Sequence, residues 1–163
     1  LVEKFFGFNS VSNLGIPAAQ VDQISMEELV KKISVVFNKV KPNIVYLPFR
    51  GDVHSDHKYL FDAAYSCTKS FRYPFIKKVF MMETLSETEF ALPIESEYFI
   101  PNVFIDVSNY LHEKIEIMKI YESELGIHPF PRSERNIEAL AIFRGSNAGC
   151  EYAEAFMLLK EIK

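Results

Sequence analysis

Residues 41–70 have the sequence KPNIVYLPFRGDVHSDHKYLFDAAYSCTKS. The short apolar run at 44–47 predicts a buried strand, and residues 48–53 predict a loop after it. Over residues 55–70 apolar side chains recur at helical spacing, which predicts an amphipathic helix. Two histidines and an aspartate stand where the loop meets the helix, in the tetrapeptide His54-Ser55-Asp56-His57.

The rest of the chain shows the same alternation of helix and strand. Ser25 and Glu28 form a capping box, which predicts the start of a helix that ends at Val40. Further strands are predicted over 76–82 and 103–107, and further helices over 108–125, capped by Ser108 and ended by Gly126, and over 133–143. Residues 152–162 fit a helix or a strand equally well.

This alternation predicts an α/β fold with three layers, in which a mostly parallel sheet is covered by helices on both faces. In such sheets ligands bind beyond the carboxyl ends of the strands. The histidine cluster follows the strand predicted at 44–47, so we expect it at that edge of the sheet.

Length and composition narrow the class of protein. The 163 residues, 48% hydrophobic and 25% charged, predict one globular domain over 1–163. A net charge of −4 argues against a nucleic-acid surface and leaves small molecules or proteins as partners, with a homo-oligomer left open. Its two cysteines give no disulfide framework, and Cys67 is expected to be a reduced core residue. We find neither a signal peptide nor an apolar run near the roughly 20 residues that span a bilayer, which predicts a cytoplasmic protein.

The cluster has the chemistry of a metal site. If the helix begins just after His54, then His57 shares a face with Leu60 and Ala64 and points toward the sheet, where a neutral imidazole is a good zinc ligand. Asp56 can accept a hydrogen bond from a ring N–H. The alternative is that both histidines are structural, one as a helix cap and one at the edge of the core. A cluster this tight at a strand-to-helix junction favours the metal site.

Several other residues are weaker candidates. Asp52 either contacts a ligand or braces the loop. Glu83 ends a predicted strand at the functional edge of the sheet and is a candidate for substrate contact. Arg144-Gly145 is typical of a helix C-terminus with its glycine cap. The acidic stretch 84–97 is expected to be a surface loop or a substrate lid.

Two stretches carry a family resemblance. The first is Pro42-Asn43-Ile44-Val45-Tyr46 followed by Gly51-Asp52-Val53-His54-Ser55-Asp56-His57, and the second is Phe143–Gly149 followed by Tyr152–Phe156. The first resembles the second signature of the LmbE/PIG-L family of zinc-dependent N-acetylglucosamine deacetylases, and the second resembles the closing segment of that family. The resemblance extends from about Leu14 to Lys163.

The resemblance implies a Rossmann-like fold and a role for each residue of the cluster. His57 would be a zinc ligand, with another divalent metal as an alternative. His54 would stabilise the oxyanion or protonate the leaving amine, and Asp56 would orient and charge-balance His54. Arg144 would become a site contact, and Asp52, if it contacts a ligand, would bond a sugar hydroxyl.

One part of the family pattern is missing from the sequence. The family's first signature, His-Pro-Asp-Asp, supplies the other zinc ligands and the general base, whereas the only His-Pro here is His128-Pro129, followed by Phe130-Pro131. Either the chain is the C-terminal two-thirds of a longer domain and lacks its first strand-helix unit, or the protein has lost its metal. We expect the first, and we expect this chain alone to be inactive.

The functional expectation is zinc-dependent removal of the acetyl group from an N-acetylglucosamine-type sugar or conjugate. The alternative is a non-catalytic carbohydrate-binding or scaffolding module of the same fold. A metal-free α/β hydrolase or transferase ranks last, because the chain has neither a Gly-x-Ser-x-Gly elbow nor a phosphate-binding glycine loop.

Overall fold

The computed structural model describes residues 2–163. Its helices are α1 (Val2–Phe6), α2 (Met26–Val40), α3 (Ser55–Ser66), α4 (Leu111–Met118) and α5 (Glu134–Ala148), and its strands are β1 (Ile44–Pro48), β2 (Lys78–Met82), β3 (Val103–Asp106) and β4 (Ala153–Glu161). Short 3₁₀ turns lie at Val21–Gln23, Thr88–Phe90 and Glu95–Glu97. Of the helices in residues 2–163, none combines the length and the apolar character that crossing a bilayer requires.

The described residues form two compact units. One, the β1 unit, comprises Ser12–Asn102 and Phe156–Lys163, and the other, the α5 unit, comprises Val103–Ala155 together with the described residues up to Val11. Strand β4 contributes its first residues to the α5 unit and its later residues to the β1 unit.

The β1 unit contains β1, β2 and the later part of β4. β1 and β2 are parallel, with Ile44 opposite Lys78 and Pro48 opposite Met82, and β2 runs antiparallel to β4. Helix α3 packs on β1, helix α2 packs against α3, and the apolar faces of both helices contribute to one core. The core of the unit consists mainly of Leu29, Ile33, Val45, Leu47, Phe61, Ala63, Ala64, Cys67, Ile76, Val79 and Met81.

The α5 unit contains β3, α4, α5 and the start of β4. Val107 N–H donates to the Tyr152 carbonyl at 2.9 Å, next to the end of β3. The buried apolar residues of this unit are Leu111, Ile117, Ile137, Ala141, Ala153 and Ala155.

The predicted α/β class is confirmed, but the prediction of a mostly parallel sheet is wrong. Within the described residues the strand order is β1-β2-β4-β3, and β4 is antiparallel to β2. Two helices, α4 and α5, separate β3 from β4. A single helix between two strands returns the chain to its starting end and gives parallel pairing, but β4 is not joined to β2 by such a unit, because residues 83–102, β3 and both helices lie between them. The single domain and the helices on both faces stay predictions.

Most predicted elements are present, with shifted ends. The Ser25 hydroxyl accepts from Glu28 N–H, as the capping box predicts, and residues 152–162 contain a strand. Helix α3 ends at Ser66 rather than at residue 70. Helix α4 begins at Leu111 and ends at Met118, well before residue 125, so the prediction that Gly126 ends it is wrong.

Two predicted helix caps are wrong. Ser108 does not cap α4, because its hydroxyl donates to Asp106 at 2.6 Å and accepts from Tyr152 N–H. Gly145 lies buried inside α5, and the cap is Gly149, whose φ of 73° lies in the left-handed region that glycine favours.

Candidate functional site

The loop after β1 carries the histidine cluster at the carboxyl edge of the sheet. β1 ends at Pro48 and its parallel partner β2 ends at Met82, so both strands reach this edge. Gly51 is buried in the loop, where an added Cβ would lie 2.5 Å from the Phe49 ring and 2.7 Å from a carboxylate oxygen of Glu97. A larger residue here would displace the Phe49 ring or the Glu97 carboxylate, so glycine lets the loop pack closely on these two side chains.

His54 is the N-cap residue of α3. Its Nδ1 accepts a hydrogen bond from Asp56 N–H at 3.2 Å, which satisfies one of the free backbone donors at the helix start. Because Nδ1 is the acceptor, the neutral ring carries its proton on Nε2. His54 therefore has a hydrogen-bond donor on the side of the ring opposite the helix cap.

His57 has the opposite arrangement. Its Nδ1 lies 2.6 Å from Asp52 Oδ2, and the side chain of Asp52 is 0% exposed while that of His57 is 26% exposed. An ionised carboxylate only accepts hydrogen bonds, so His57 carries its proton on Nδ1 and Nε2 keeps its lone pair. A histidine whose second nitrogen is held by a carboxylate is the usual form of a metal ligand.

The two imidazoles lie side by side. Their ring centroids are 5.3 Å apart and their planes differ by 24°. The site thus presents a hydrogen-bond donor, on His54, next to an electron-pair donor, on His57.

The buried Asp52 carboxylate holds the His57 ring in place. Its carboxylate has no exposed surface, and its Oδ1 accepts from the Thr88 hydroxyl at 2.6 Å while Oδ2 pairs with His57. This geometry favours the loop-bracing alternative over the sugar contact, because an enclosed side chain does not reach a substrate.

Thr88 is a site residue that the sequence did not indicate. It lies in the 3₁₀ turn of the acidic stretch 84–97, more than thirty residues after Asp52. An isolated threonine in an irregular segment carries no periodic or motif signal, so only the fold brings it to the cluster.

Asp56 has contacts different from those expected. Its carboxylate oxygens accept from Ala19 N–H at 2.7 Å and from Val21 N–H at 3.1 Å, and it contacts the His54 ring through its own backbone N–H. The carboxylate–imidazole contact expected for Asp56 and His54 is made by Asp52 and His57. Asp56 therefore anchors the segment before α2 to the start of α3, and its catalytic role stays a prediction.

Glu83 and Arg144 lie in different units. Glu83 directly follows β2, half-buried, at the same sheet edge as the loop that carries the cluster, so its predicted location is consistent with substrate contact. Arg144 lies in α5, with its guanidinium carbon 5.3 Å from the centroid of the Phe143 ring. Substrate contact by either residue stays a prediction.

The described residues fit zinc only in part. The orientation of His57 suits one ligand, but a zinc site needs three protein ligands. Within residues 2–163 no three histidine, cysteine, aspartate or glutamate side chains come together in a way that could hold a metal ion. These residues therefore do not complete the predicted metal site.

A family comparison matches the segment that holds the cluster. The family model described as "PIG-L: GlcNAc-PI de-N-acetylase" matches residues 2–68, which include His54-Ser55-Asp56-His57. Residues 2–68 are therefore similar to the PIG-L family. The match ends before the second stretch, 143–156, so the resemblance of that stretch to the PIG-L closing segment rests on the sequence alone.

Solved structures share the fold of this chain. The conserved protein TT1542 from Thermus thermophilus superposes with a TM-score of 0.74 at 18% identity, over 99% of this chain and 71% of that one. The N,N′-diacetylchitobiose deacetylase from Pyrococcus horikoshii gives 0.72 at 15% identity, over 98% of this chain and 60% of that one. GalB, the 4-carboxy-2-hydroxymuconate hydratase from Pseudomonas putida, gives 0.65 at 14% identity, over 99% and 69%. At these identities the similarity shows a common fold.

Proposed function

We propose that this chain is the part of a metal-dependent N-deacetylase that carries its His54–His57 cluster. The substrate is the N-acetyl amide of an N-acetylglucosamine-type sugar or conjugate, and the product is the free amine and acetate. The observation that carries the proposal is the pair of adjacent imidazoles with opposite hydrogen-bonding sense, inside the segment that matches the PIG-L family.

His54 acts on the oxygen or the nitrogen of the amide. Its Nε2–H is positioned by the helix cap on the opposite side of the ring, so the donor is fixed before substrate binds. As the carbonyl carbon becomes tetrahedral, this N–H donates to the developing oxyanion or passes its proton to the leaving amine. Pre-oriented donors of this kind contribute roughly 100- to 1,000-fold to turnover.

His57 supplies one ligand of the metal site. The buried Asp52 carboxylate fixes the ring and leaves the Nε2 lone pair for a divalent ion. When bound, zinc polarises the carbonyl and lowers the pKa of its water to about 7. Two further protein ligands are needed beyond His57, which agrees with the expectation that this chain alone is inactive.

The rival functions have less support. A non-catalytic sugar-binding module has no use for a histidine pair held in two different tautomers. The fold alone does not select amide hydrolysis, since a hydratase shares it, so the choice rests on the cluster and on the family match. The cytoplasmic location and a homo-oligomer stay predictions.

Acetate release tests the proposal. The intact protein that contains these residues is incubated with N-acetylglucosamine and with N,N′-diacetylchitobiose, with and without added Zn²⁺, and bound zinc is measured by elemental analysis. We expect metal-dependent acetate release. His57→Ala should lose both zinc and activity, whereas His54→Ala should keep zinc and lose about 100-fold or more in turnover.

His112→Ala is the matched control, because His112 is an exposed histidine of α4 in the α5 unit. It should retain both zinc and turnover. Zinc retained in His57→Ala, or full turnover in His54→Ala, would contradict the assigned roles. An intact protein that releases no acetate from either sugar under any metal condition would overturn the function.

A further inference from the structure

The hydroxyl of Thr88 lies between two partners that fix the direction of its proton. Thr88 is only 8% exposed, and its Oγ1 lies 2.6 Å from Asp52 Oδ1 and 2.8 Å from Thr84 N. A backbone N–H only donates, so the hydroxyl oxygen accepts from Thr84. Its single proton is therefore directed at the Asp52 carboxylate.

We propose that Thr88 is a positioning residue that fixes the tautomer of His57 through Asp52. By occupying Oδ1, the hydroxyl leaves Oδ2 as the acceptor for His57 Nδ1–H, and the lone pair then stays on Nε2. The consequence for metal binding rests on the proposed function, whereas the tautomer itself does not.

The turn that contains Thr88 is hydrogen-bonded to the loop that contains Asp52. Val53 N–H donates to the Glu87 carbonyl at 3.3 Å, and Thr88 N–H donates to the Thr84 carbonyl at 2.9 Å. These bonds hold the hydroxyl at a fixed place beside the carboxylate. The acidic stretch 84–97 thus supports the Asp52 carboxylate, which is a different role from that of the expected substrate lid.

Burial makes the hydroxyl important to Asp52. A carboxylate with 0% exposure has no water to satisfy its oxygens, so the loss of one donor leaves a buried acceptor without a partner. The Asp52 carboxylate is then free to rotate, and its hydrogen bond to His57 Nδ1 is no longer held in place. His57 is therefore no longer restricted to a single tautomer. Hydrogen bonds to an ionised acceptor are roughly twice as strong as those between neutral groups, so the loss of this contact should have a larger effect than the loss of a neutral hydrogen bond.

The first test reads the tautomer directly, in metal-free protein at a pH where the ring is neutral. Ring ¹⁵N shifts of His57 are compared in the wild type, Thr88→Val, Thr88→Ser and Thr68→Val. Thr68 is an equally buried threonine whose hydroxyl bonds the Tyr65 carbonyl, so Thr68→Val controls for the loss of a buried hydroxyl elsewhere. We expect the Nδ1–H tautomer in the wild type, Thr88→Ser and Thr68→Val, and a several-fold larger Nε2–H population in Thr88→Val. A Thr88→Val spectrum like that of the wild type overturns the proposal.

Asp52→Asn gives a second test that does not depend on the folding of Thr88→Val. The Thr88 hydroxyl selects the amide oxygen of Asn as its acceptor, so the amide NH₂ faces His57 Nδ1. The ring must then accept there and carry its proton on Nε2. A His57 that keeps the Nδ1–H tautomer in Asp52→Asn contradicts the assigned direction of the hydroxyl.

The zinc affinity of the intact protein separates this proposal from the function. By analogy with other residues that orient metal-bound histidines, Thr88→Val should weaken zinc binding about 10-fold, and Thr88→Ser should restore it. If Thr88→Val binds zinc as tightly as the wild type, the positioning role fails while the deacetylase function stands. If the wild type shows the expected tautomer but releases no acetate, the function fails while the assignment of the tautomer stands.

Discussion

At the scale of single residues, the site depends on two histidines that differ in what their Nδ1 atoms contact. His54 Nδ1 accepts from a backbone N–H, and His57 Nδ1 faces a buried carboxylate. Histidine therefore supplies a hydrogen-bond donor at position 54 and a free lone pair at position 57. The proposed metal-dependent amide hydrolysis would use both, the donor for the developing oxyanion and the lone pair for a metal ion.

Asp56 provides a residue-scale prediction about stability. Its carboxylate accepts two backbone hydrogen bonds from the segment before α2, so Asp56→Ala leaves Ala19 and Val21 without these partners. We expect a loss of about 1–3 kcal/mol in the free energy of unfolding, measured by urea denaturation. Asp22→Ala is the control, because Asp22 is an exposed aspartate of the same segment that bonds only its neighbour Gln23 among the contacts described. An Asp56→Ala variant as stable as the control would contradict the anchoring role.

The sequence predicted which residues form the cluster better than it predicted their partners. Spacing alone brings His54 and His57 to the start of one helix. Asp52 and Asp56 both lie close to the rings in sequence, and the choice between them depends on the path of the loop around Gly51, which packs against its neighbour Phe49 and against the distant Glu97. Thr88 could not be predicted at all for the same reason, since its contact with Asp52 spans 36 positions.

At the scale of secondary structure, the observed helix caps show which local sequence patterns predict the end of a helix correctly. Ser25 caps α2 through its hydroxyl, as its sequence pattern predicts. Ser25→Ala should lower the free energy of unfolding by about 1 kcal/mol, and Ser25→Asp should retain most of it, because both serine and aspartate accept from the helix N-terminus. Ser10→Ala, in an exposed segment without regular structure, is the control and should change little. Equal stability of Ser25→Ala and this control in thermal denaturation would rule out the cap.

Gly145 inside α5 and Gly149 directly after it should differ in the cost of substitution and in its cause. Gly149 has open space around its Cβ position but a positive φ, so Gly149→Ala should cost about 1 kcal/mol and Gly149→Asn less. Gly145 lies against backbone, with an added Cβ 2.6 Å from the Glu151 carbonyl oxygen, so Gly145→Ala should cost roughly 3 kcal/mol. Chemical denaturation of the three variants measures both effects. If Gly149→Ala proves the more damaging, the structure has the wrong end for α5.

The capping errors have a common physical cause. Ser108 and Gly145 each carry a correct local signal for a helix end, but a contact distant in sequence uses the residue differently. The Ser108 hydroxyl bonds Tyr152 N–H, 44 residues away, and Gly145 allows the turn after α5 to fold closely onto the helix. Propensity predicts that an element exists, and tertiary packing sets its ends.

At the scale of the whole molecule, strand direction was the feature that the sequence did not predict. The alternation of elements predicts the α/β class, which is confirmed, but β4 is not joined to its neighbour β2 by a single helix and runs antiparallel to it. Where two strands follow one another through a single helix, as β1 and β2 do through α3, the parallel prediction is correct. This pair carries the cluster and Glu83 at one edge, so the error in β4 left the predicted location of the site unchanged.

The two cysteines report on the two units separately. Cys67 is 1% exposed in the core of the β1 unit, and Cys150 is half-buried in the α5 unit. We expect an alkylating reagent to modify Cys150 in the native protein, and Cys67 only after the β1 unit opens. Mass spectrometry of peptides after timed labelling measures both rates. Labelling of Cys67 at the rate of Cys150 would show that the β1 core is not formed.

The pH dependence of Cys150 labelling follows from its surroundings. Burial and the nearby Asp106 carboxylate raise the pKa of the Cys150 thiol, so the reactive thiolate is scarce at neutral pH. The labelling rate should therefore rise steeply only at a pH above the pKa of an ordinary thiol. Asp106→Asn removes the negative charge but keeps an oxygen that can accept from Ser108. This variant should shift the pH profile of Cys150 labelling toward lower pH and leave that of Cys67 unchanged, because Cys67 lies in the other unit and its labelling is limited by opening rather than by ionisation. A profile that does not move would mean that Asp106 exerts no electrostatic effect on the thiol.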